Sequence, residues 1–187
     1  MGAMEMNEEK RRGQGASDSE VLARTKAVLG PMGVMIHTHS QHGDDTLVAH
    51  AEDVLKVMEF LRDDKSLKFD MMMDLTVVDY LGAEEVHPYL KPMNARFEVV
   101  YHLYSVEKNH RIRVKVPLPE DSPYVDSVTG IWVGADWFER EAWDLYGVMF
   151  RGHPNLKRIL LYEDFVGHPL RKDYGKMKRQ PLIGPVN

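Results

Sequence analysis

RFEVVYHLYSVEKNHRIRVKVP, residues 96–117, decides the fold. Arg96 to Tyr104 alternates well enough to form a half-buried strand, and Glu107-Lys108-Asn109 is a tight-turn signal. His110 to Val116 then carries the cleanest period-2 pattern in the chain. In that second strand Ile112, Val114 and Val116 face a core, while Arg111, Arg113 and Lys115 face water or a partner. Two adjacent strands joined by a tight turn mean an antiparallel sheet. The neighbouring patterns extend it, with a strand over 69–79 and an amphipathic helix over Ala51–Leu61 that aligns Val54, Leu55, Val57, Met58 and Leu61. Val34–His37 and Thr46–Val48 read as short strands around the polar turn 41–45. A helix over 20–29, capped by Ser17 or Ser19, turns Val21, Leu22, Val28 and Leu29 inward and stops at Gly30. Residues 19–123 therefore predict an α+β domain, a mostly antiparallel sheet with helices on one face.

Beyond Pro117–Pro123 the texture changes. Asp136 can cap a helix that runs to Tyr146 and ends at Gly147. Asp136–Arg140 and Arg140–Asp144 are i,i+4 pairs, and Phe138, Ala142 and Leu145 form the apolar stripe. A short strand is expected over Arg158–Leu161. Phe150-Arg151-Gly152-His153-Pro154 and Phe165-Val166-Gly167-His168-Pro169 repeat one corner motif, in which Gly permits a turn and Pro fixes the following φ. Residues 124–175 thus read as a helix followed by an extended but ordered segment. Residues 1–18 are too polar to offset their ordering entropy and predict a disordered tail. Residues 176–187 predict a flexible basic C-terminus, part of a run over 171–179 with five basic residues against Asp173.

Composition narrows the chemistry. The 187 residues are 43% hydrophobic and 28% charged, ordinary for a globular chain able to bury a core. A net charge of −5 makes no electrostatic case for nucleic acid. With no cysteine, disulfides, thiolate zinc sites, cysteine nucleophiles and cysteine-ligated clusters are excluded. No apolar run approaches the roughly 20 residues of a spanning helix, and the N-terminus lacks a signal-peptide core. Membrane association is expected only through a partner.

The catalytic candidates are sparse. His37, His39 and His42, with Asp44 and Asp45 nearby, are the most metal-like cluster, and imidazoles with carboxylates can bind zinc; a small metal-dependent hydrolase would use them. Glu139 and Glu141 stand about 200° apart around a helix and cannot act on one substrate atom. His153 and His168 lie between Gly and Pro, where a hydrogen bond at a corner suits them better than catalysis. Gly13-Gln14-Gly15 follows no strand and lacks a third glycine, so it is no dinucleotide fingerprint. Met71-Met72-Met73 reads as core filler.

Three blocks carry a family resemblance: Glu139-Arg140-Glu141-Ala142-Trp143-Asp144-Leu145-Tyr146-Gly147, Gly152-His153-Pro154-Asn155-Leu156-Lys157-Arg158-Ile159-Leu160, and Gly167-His168-Pro169-Leu170-Arg171-Lys172-Asp173-Tyr174. Together with Arg96–Leu103, Arg111–Pro117 and Ser127–Trp132, they resemble the thirty-kilodalton subunit of respiratory complex I over residues 70 to 175. One departure is Gly175, where the family usually has Pro. The resemblance implies a non-catalytic assembly subunit of the peripheral arm of a proton-translocating NADH:quinone oxidoreductase, on the cytoplasmic side of a bacterial inner membrane. NAD, FMN, iron–sulfur clusters and quinone are then expected in partner subunits, chiefly the large quinone-site subunit and the iron–sulfur subunits. The equivalent subunit of a membrane-bound hydrogenase or formate hydrogenlyase shares the signature. Expected interface residues are Glu139, Arg140, Glu141, Asp144, His153, Arg158, His168, Arg171, Lys172 and Asp173.

Overall fold

The computed structural model describes residues 19–41, 43–175, 177 and 180. Helix α1 (Glu20–Leu29), strands β1 (Met35–Gln41) and β2 (Asp44–Ala49), helix α2 (Val54–Asp63), and strands β3 (Met71–Asp79), β4 (Ala95–Ser105), β5 (His110–Pro119) and β6 (Tyr124–Asp126) precede helix α3 (Ala135–Tyr146) and strand β7 (Met149–Arg151). The expectations for residues 1–18, for His42 and for most of 176–187 lie outside the described residues.

The β4–β5 pair forms as its alternation demands, antiparallel from Ala95↔Pro119 to Ser105↔His110, with Asn109 at positive φ in the turn. The full sheet order is β1-β2-β5-β4-β3. Three neighbour pairs are antiparallel, and β2–β5 alone runs parallel. α2 crosses between β2 and β3 and buries Val54, Val57, Met58 and Leu61. Each such side chain contributes about 1.5–3 kcal/mol of transfer free energy, enough to dock a ten-residue helix that would not hold alone. The Ser19 hydroxyl accepts the Leu22 N–H and caps α1, whose buried residues are Val21, Leu22, Thr25 and Leu29. Val28 is only half-buried, and Gly30 continues into a 3-10 turn that Gly33 ends in the left-handed region.

All three helices share one core with the inward faces of the sheet. That core runs on through Val125, Val128, Trp132, Ala135, Ala142, Val148 and Phe150, so residues 124–150 belong to the same unit as the sheet. The expected boundary at 123/124 therefore marks no break in packing, and the change of texture comes after β7. The opposite face of the sheet is partly covered by residues 80–94, which pack Tyr80, Tyr89 and Leu90 against Val48 and Ala95. This cover explains why Lys115 does not reach water: it is buried and pairs at 2.9 Å with Glu98, which also accepts the Tyr80 and Tyr89 hydroxyls. Of the three consecutive methionines only Met72 is buried; Met71 and Met73 lie on the exposed face of the edge strand β3.

Candidate docking site

The N-cap of α3 is Gly134, with no side-chain cap, and not Asp136, which lies in the first turn, where the helix dipole favours an acid. Its Oδ1 is 3.9 Å from Arg140 Nη1, so the first expected i,i+4 pair is present but loose. The second is not. Arg140 instead donates to the carbonyls of Lys157 and Arg158 at 3.1 and 3.2 Å, while Asp144 turns inward. The buried face of α3 is not the expected apolar stripe: it comprises Ala135, Glu139, Ala142 and Asp144, with Phe138 and Leu145 half-buried.

Two carboxylates can be buried on a helix only if donors reach them. Asp144 Oδ1 accepts from Arg158 Nη1 at 2.5 Å, and Oδ2 accepts the N–H groups of Ile159, Leu160 and Leu161 at 3.1, 3.0 and 2.9 Å. Burial alone would raise this acid; the Leu161 N–H, the Arg158 guanidinium and the Ile159 and Leu160 N–H groups outweigh it and hold Asp144 below the usual carboxylate range. Three successive N–H groups converging on one oxygen form an anion nest, incompatible with the strand expected at 158–161. Arg158 Nη2 also donates to the Phe165 carbonyl at 2.7 Å and thereby pulls the second corner inward.

The same extended segment closes the end of α3. The last four carbonyls of a helix lack intrahelical donors. Here Trp143 O accepts the Gly147 N–H, Asp144 O the His168 Nδ1–H at 2.9 Å, Leu145 O the Leu170 N–H at 3.1 Å, and Tyr146 O the Arg171 Nε–H. Gly147 sits at φ +74 with His168 and Arg171 directly above it; a Cβ there would meet both at 2.6 Å. Gly152 and Gly167 also have positive φ, as the corner motifs require. At the first corner His153 Nδ1 accepts the Asn155 N–H at 3.0 Å, so Nε2 carries the proton and donates to Asp136 O at 3.2 Å. Burial holds the His168 imidazole below its ordinary value and keeps it the neutral donor that the helix end needs.

The far end of the segment is tied to the sheet through Arg96. Its guanidinium forms a two-point bond with Asp79 at 3.1 and 3.0 Å, reaches Glu120 at 2.6 Å and meets Asp173 at 2.8 Å. Asp79 Oδ2 further accepts the Lys172 N–H at 2.9 Å, and Arg96 and Arg171 both stack on the Phe97 ring. Residues 155–173 are therefore a strap, fastened by polar bonds rather than by a core of their own.

This geometry sorts the expected interface residues. Glu139 and Asp144 are fully buried within the chain, Arg140 points to the strap, and His153, Arg158 and His168 point back to α3. Arg171 is half-buried beneath the strap's end; Glu141, Lys172 and Asp173 are outward. Beside them, among further outward charges at Lys157, Glu163 and Asp164, five large apolar side chains are exposed: Val133, Trp137, Leu160, Val166 and Leu170. Sequence reading missed them, although Trp137 lies off the helix's buried face and such residues in solvent mark a contact surface. Elsewhere, His37 and His39 have ring centroids 5.5 Å apart on β1, and no group of three potential metal ligands occurs among the described residues. No helix among them is long and apolar enough to cross a membrane.

Residues 47–180 match the family model "Respiratory-chain NADH dehydrogenase, 30 Kd subunit". The chain is 49% identical over 168 residues to an NADH-quinone oxidoreductase subunit of Caulobacter vibrioides, covering 89% of this chain and 73% of that protein. It is 53% identical over 163 residues to the NADH-quinone oxidoreductase subunit of the same name in Ralstonia pickettii, covering 83% and 78%. Among solved structures, the trypsin-resistant fragment (1–134) of Nqo5 superposes with a TM-score of 0.59 at 30% identity, covering 73% of this chain and 96% of the fragment. A chain of an archaeal membrane-bound sulfane sulfur reductase shares the fold, with a TM-score of 0.64 at 24% identity over 85% of this chain and 88% of that one.

Proposed function

The chain belongs to the respiratory-chain NADH dehydrogenase 30 kDa subunit family, a structural subunit of the peripheral arm of NADH-quinone oxidoreductase, and from that premise we propose that it works purely by docking. It holds no active site of its own. NAD, FMN, iron–sulfur clusters and quinone belong to its neighbours, and the absence of cysteine already removes thiolate ligation from its repertoire. The large quinone-site subunit and the iron–sulfur subunits are its contacts, on the cytoplasmic side of the bacterial inner membrane.

One observation carries this reading: the strap is fastened to α3 through Asp144, Arg158 and His168 and to the sheet through Asp173, yet Leu160, Val166 and Leu170 on it, with Val133 and Trp137 at the start of α3, stand in solvent. Fixed internally, it presents these side chains at little ordering cost on association, the condition for tight binding from modest area. Affinity purification of the tagged chain from native membranes tests the proposal. It should retrieve a large quinone-site subunit with iron–sulfur subunits, and the isolated chain should oxidise no NADH. Retrieval of a hydrogenase large subunit would assign it to that related assembly, and turnover by the isolated chain would overturn the docking role.

A further inference from the structure

Glu139 differs from every other acid on α3. It sits at mid-helix with no exposed surface, against Tyr101 of β4 and the turn that follows β6. Its Oε1 accepts the Val128 N–H at 2.7 Å, and the Ser127 hydroxyl also supports the carboxyl. Its Oε2 has no hydrogen-bond partner among the described residues, and neither has the fully buried hydroxyl of Tyr101. The charged groups acting on this corner are carboxylates: Asp136, three residues earlier on α3, acts on Glu139, and Asp126 of β6 acts on Tyr101. An ionised Glu139 would thus be a buried charge facing further negative charge, with one oxygen short of a donor, an arrangement that buried groups avoid. A carboxylic acid in the same place brings its own donor and no charge.

We propose that Glu139 is a proton-operated lock on α3: its carboxyl stays neutral in the folded chain over a pH range in which the unfolded chain has already ionised it, so docking the helix on the sheet takes up a proton from weakly acidic solution. Burial, with the Asp136 charge added, raises this acid to about 7 against the opposing pull of Ser127 and the Val128 N–H. α3 carries the strap on the carbonyls of Asp144, Leu145 and Tyr146, so the proton on Glu139 is linked to the presentation of the docking surface. The sign follows from linkage. In the unfolded chain the acid ionises near its ordinary value of 4.5. Between that pH and about 7 the folded chain holds one proton more than the unfolded chain. The unfolding constant therefore rises roughly tenfold per pH unit across this window through this group alone, and levels off above it.

The test uses the full chain labelled with carbon-13 at the glutamate carboxyls. In an NMR titration a glutamate signal should titrate near pH 7. That signal should be missing from Glu139→Gln, whose amide supplies the donor without the charge, and denaturant unfolding of this variant should lose the wild-type slope between pH 5 and 7. The wild-type titration stands even if the variant folds poorly. The proposal is overturned if every glutamate titrates in the acidic range, or if the neutral-range signal persists in Glu139→Gln.

Discussion

Asp144→Ala should unfasten the strap without unfolding the domain. The substitution removes the acceptor for Arg158 Nη1 and for three consecutive N–H groups. Deleting one member of a buried ion pair costs about 3–5 kcal/mol, because the partner is left unmatched. The Arg158 side chain is 16% exposed and keeps the Phe165 carbonyl, so water relieves part of this loss and favours the lower end of the range. The three N–H groups belong to residues at the surface and rehydrate, adding about 1 kcal/mol each at most. A local cost of about 3–5 kcal/mol corresponds to a loss of roughly two to three and a half decades of protection. Hydrogen exchange followed by mass spectrometry reads this directly. Peptides covering 155–171 should exchange faster by that factor, while β4 and β5, whose contacts are untouched, keep their protection. Unchanged exchange in the strap would refute the assignment of Asp144 as its anchor, and uniform acceleration through the sheet would refute the claim that the strap opens independently.

Arg96→Met strands the buried Asp79 carboxylate and should destabilise the chain by about 3–5 kcal/mol in urea unfolding. Asp173→Asn, at the half-exposed end of the same cluster, should cost about 1 kcal/mol or less. Gly147→Ala forces a left-handed φ on a residue with a Cβ and drives that atom into His168 and Arg171, so its unfolding midpoint should fall well below that of Gly130→Ala, where a Cβ meets nothing. The carboxyls of Asp79, Asp144 and Asp173 all ionise below their ordinary range. Their stabilisation is present above the unfolded carboxylate range and lost as pH falls through the lower folded values, so thermal midpoints should drop steeply below about pH 4.

Local pattern settled most of the sheet in advance. The β4–β5 hairpin, α2 and the stop of α3 at Gly147 each follow from alternation, helical spacing or a single glycine. What stayed hidden depends on partners distant in sequence. Asp144 looks like the solvent half of an i,i+4 pair until residues 158–161 fold back to donate to it. Those same residues, an Ile-Leu-Leu run, resemble a strand because side-chain pattern says nothing of where the N–H groups go. Lys115 alternates like an exposed cation, yet the 80–94 cover buries it against Glu98. Family resemblance marked the region 139–173, but not which of its side chains turn outward. Charge suggested an interface, whereas Asp144, Arg158 and His168 fasten the strap, and the outward positions mix apolar side chains with charged ones.

Turnover per assembled complex in membranes carrying Trp137→Ala is the most direct measurement. Trp137 is 66% exposed, so its loss should leave the fold intact. A chain that contributes only docking predicts fewer assembled complexes, each with unchanged NADH:quinone activity. Normal assembly with reduced activity per complex would contradict the account.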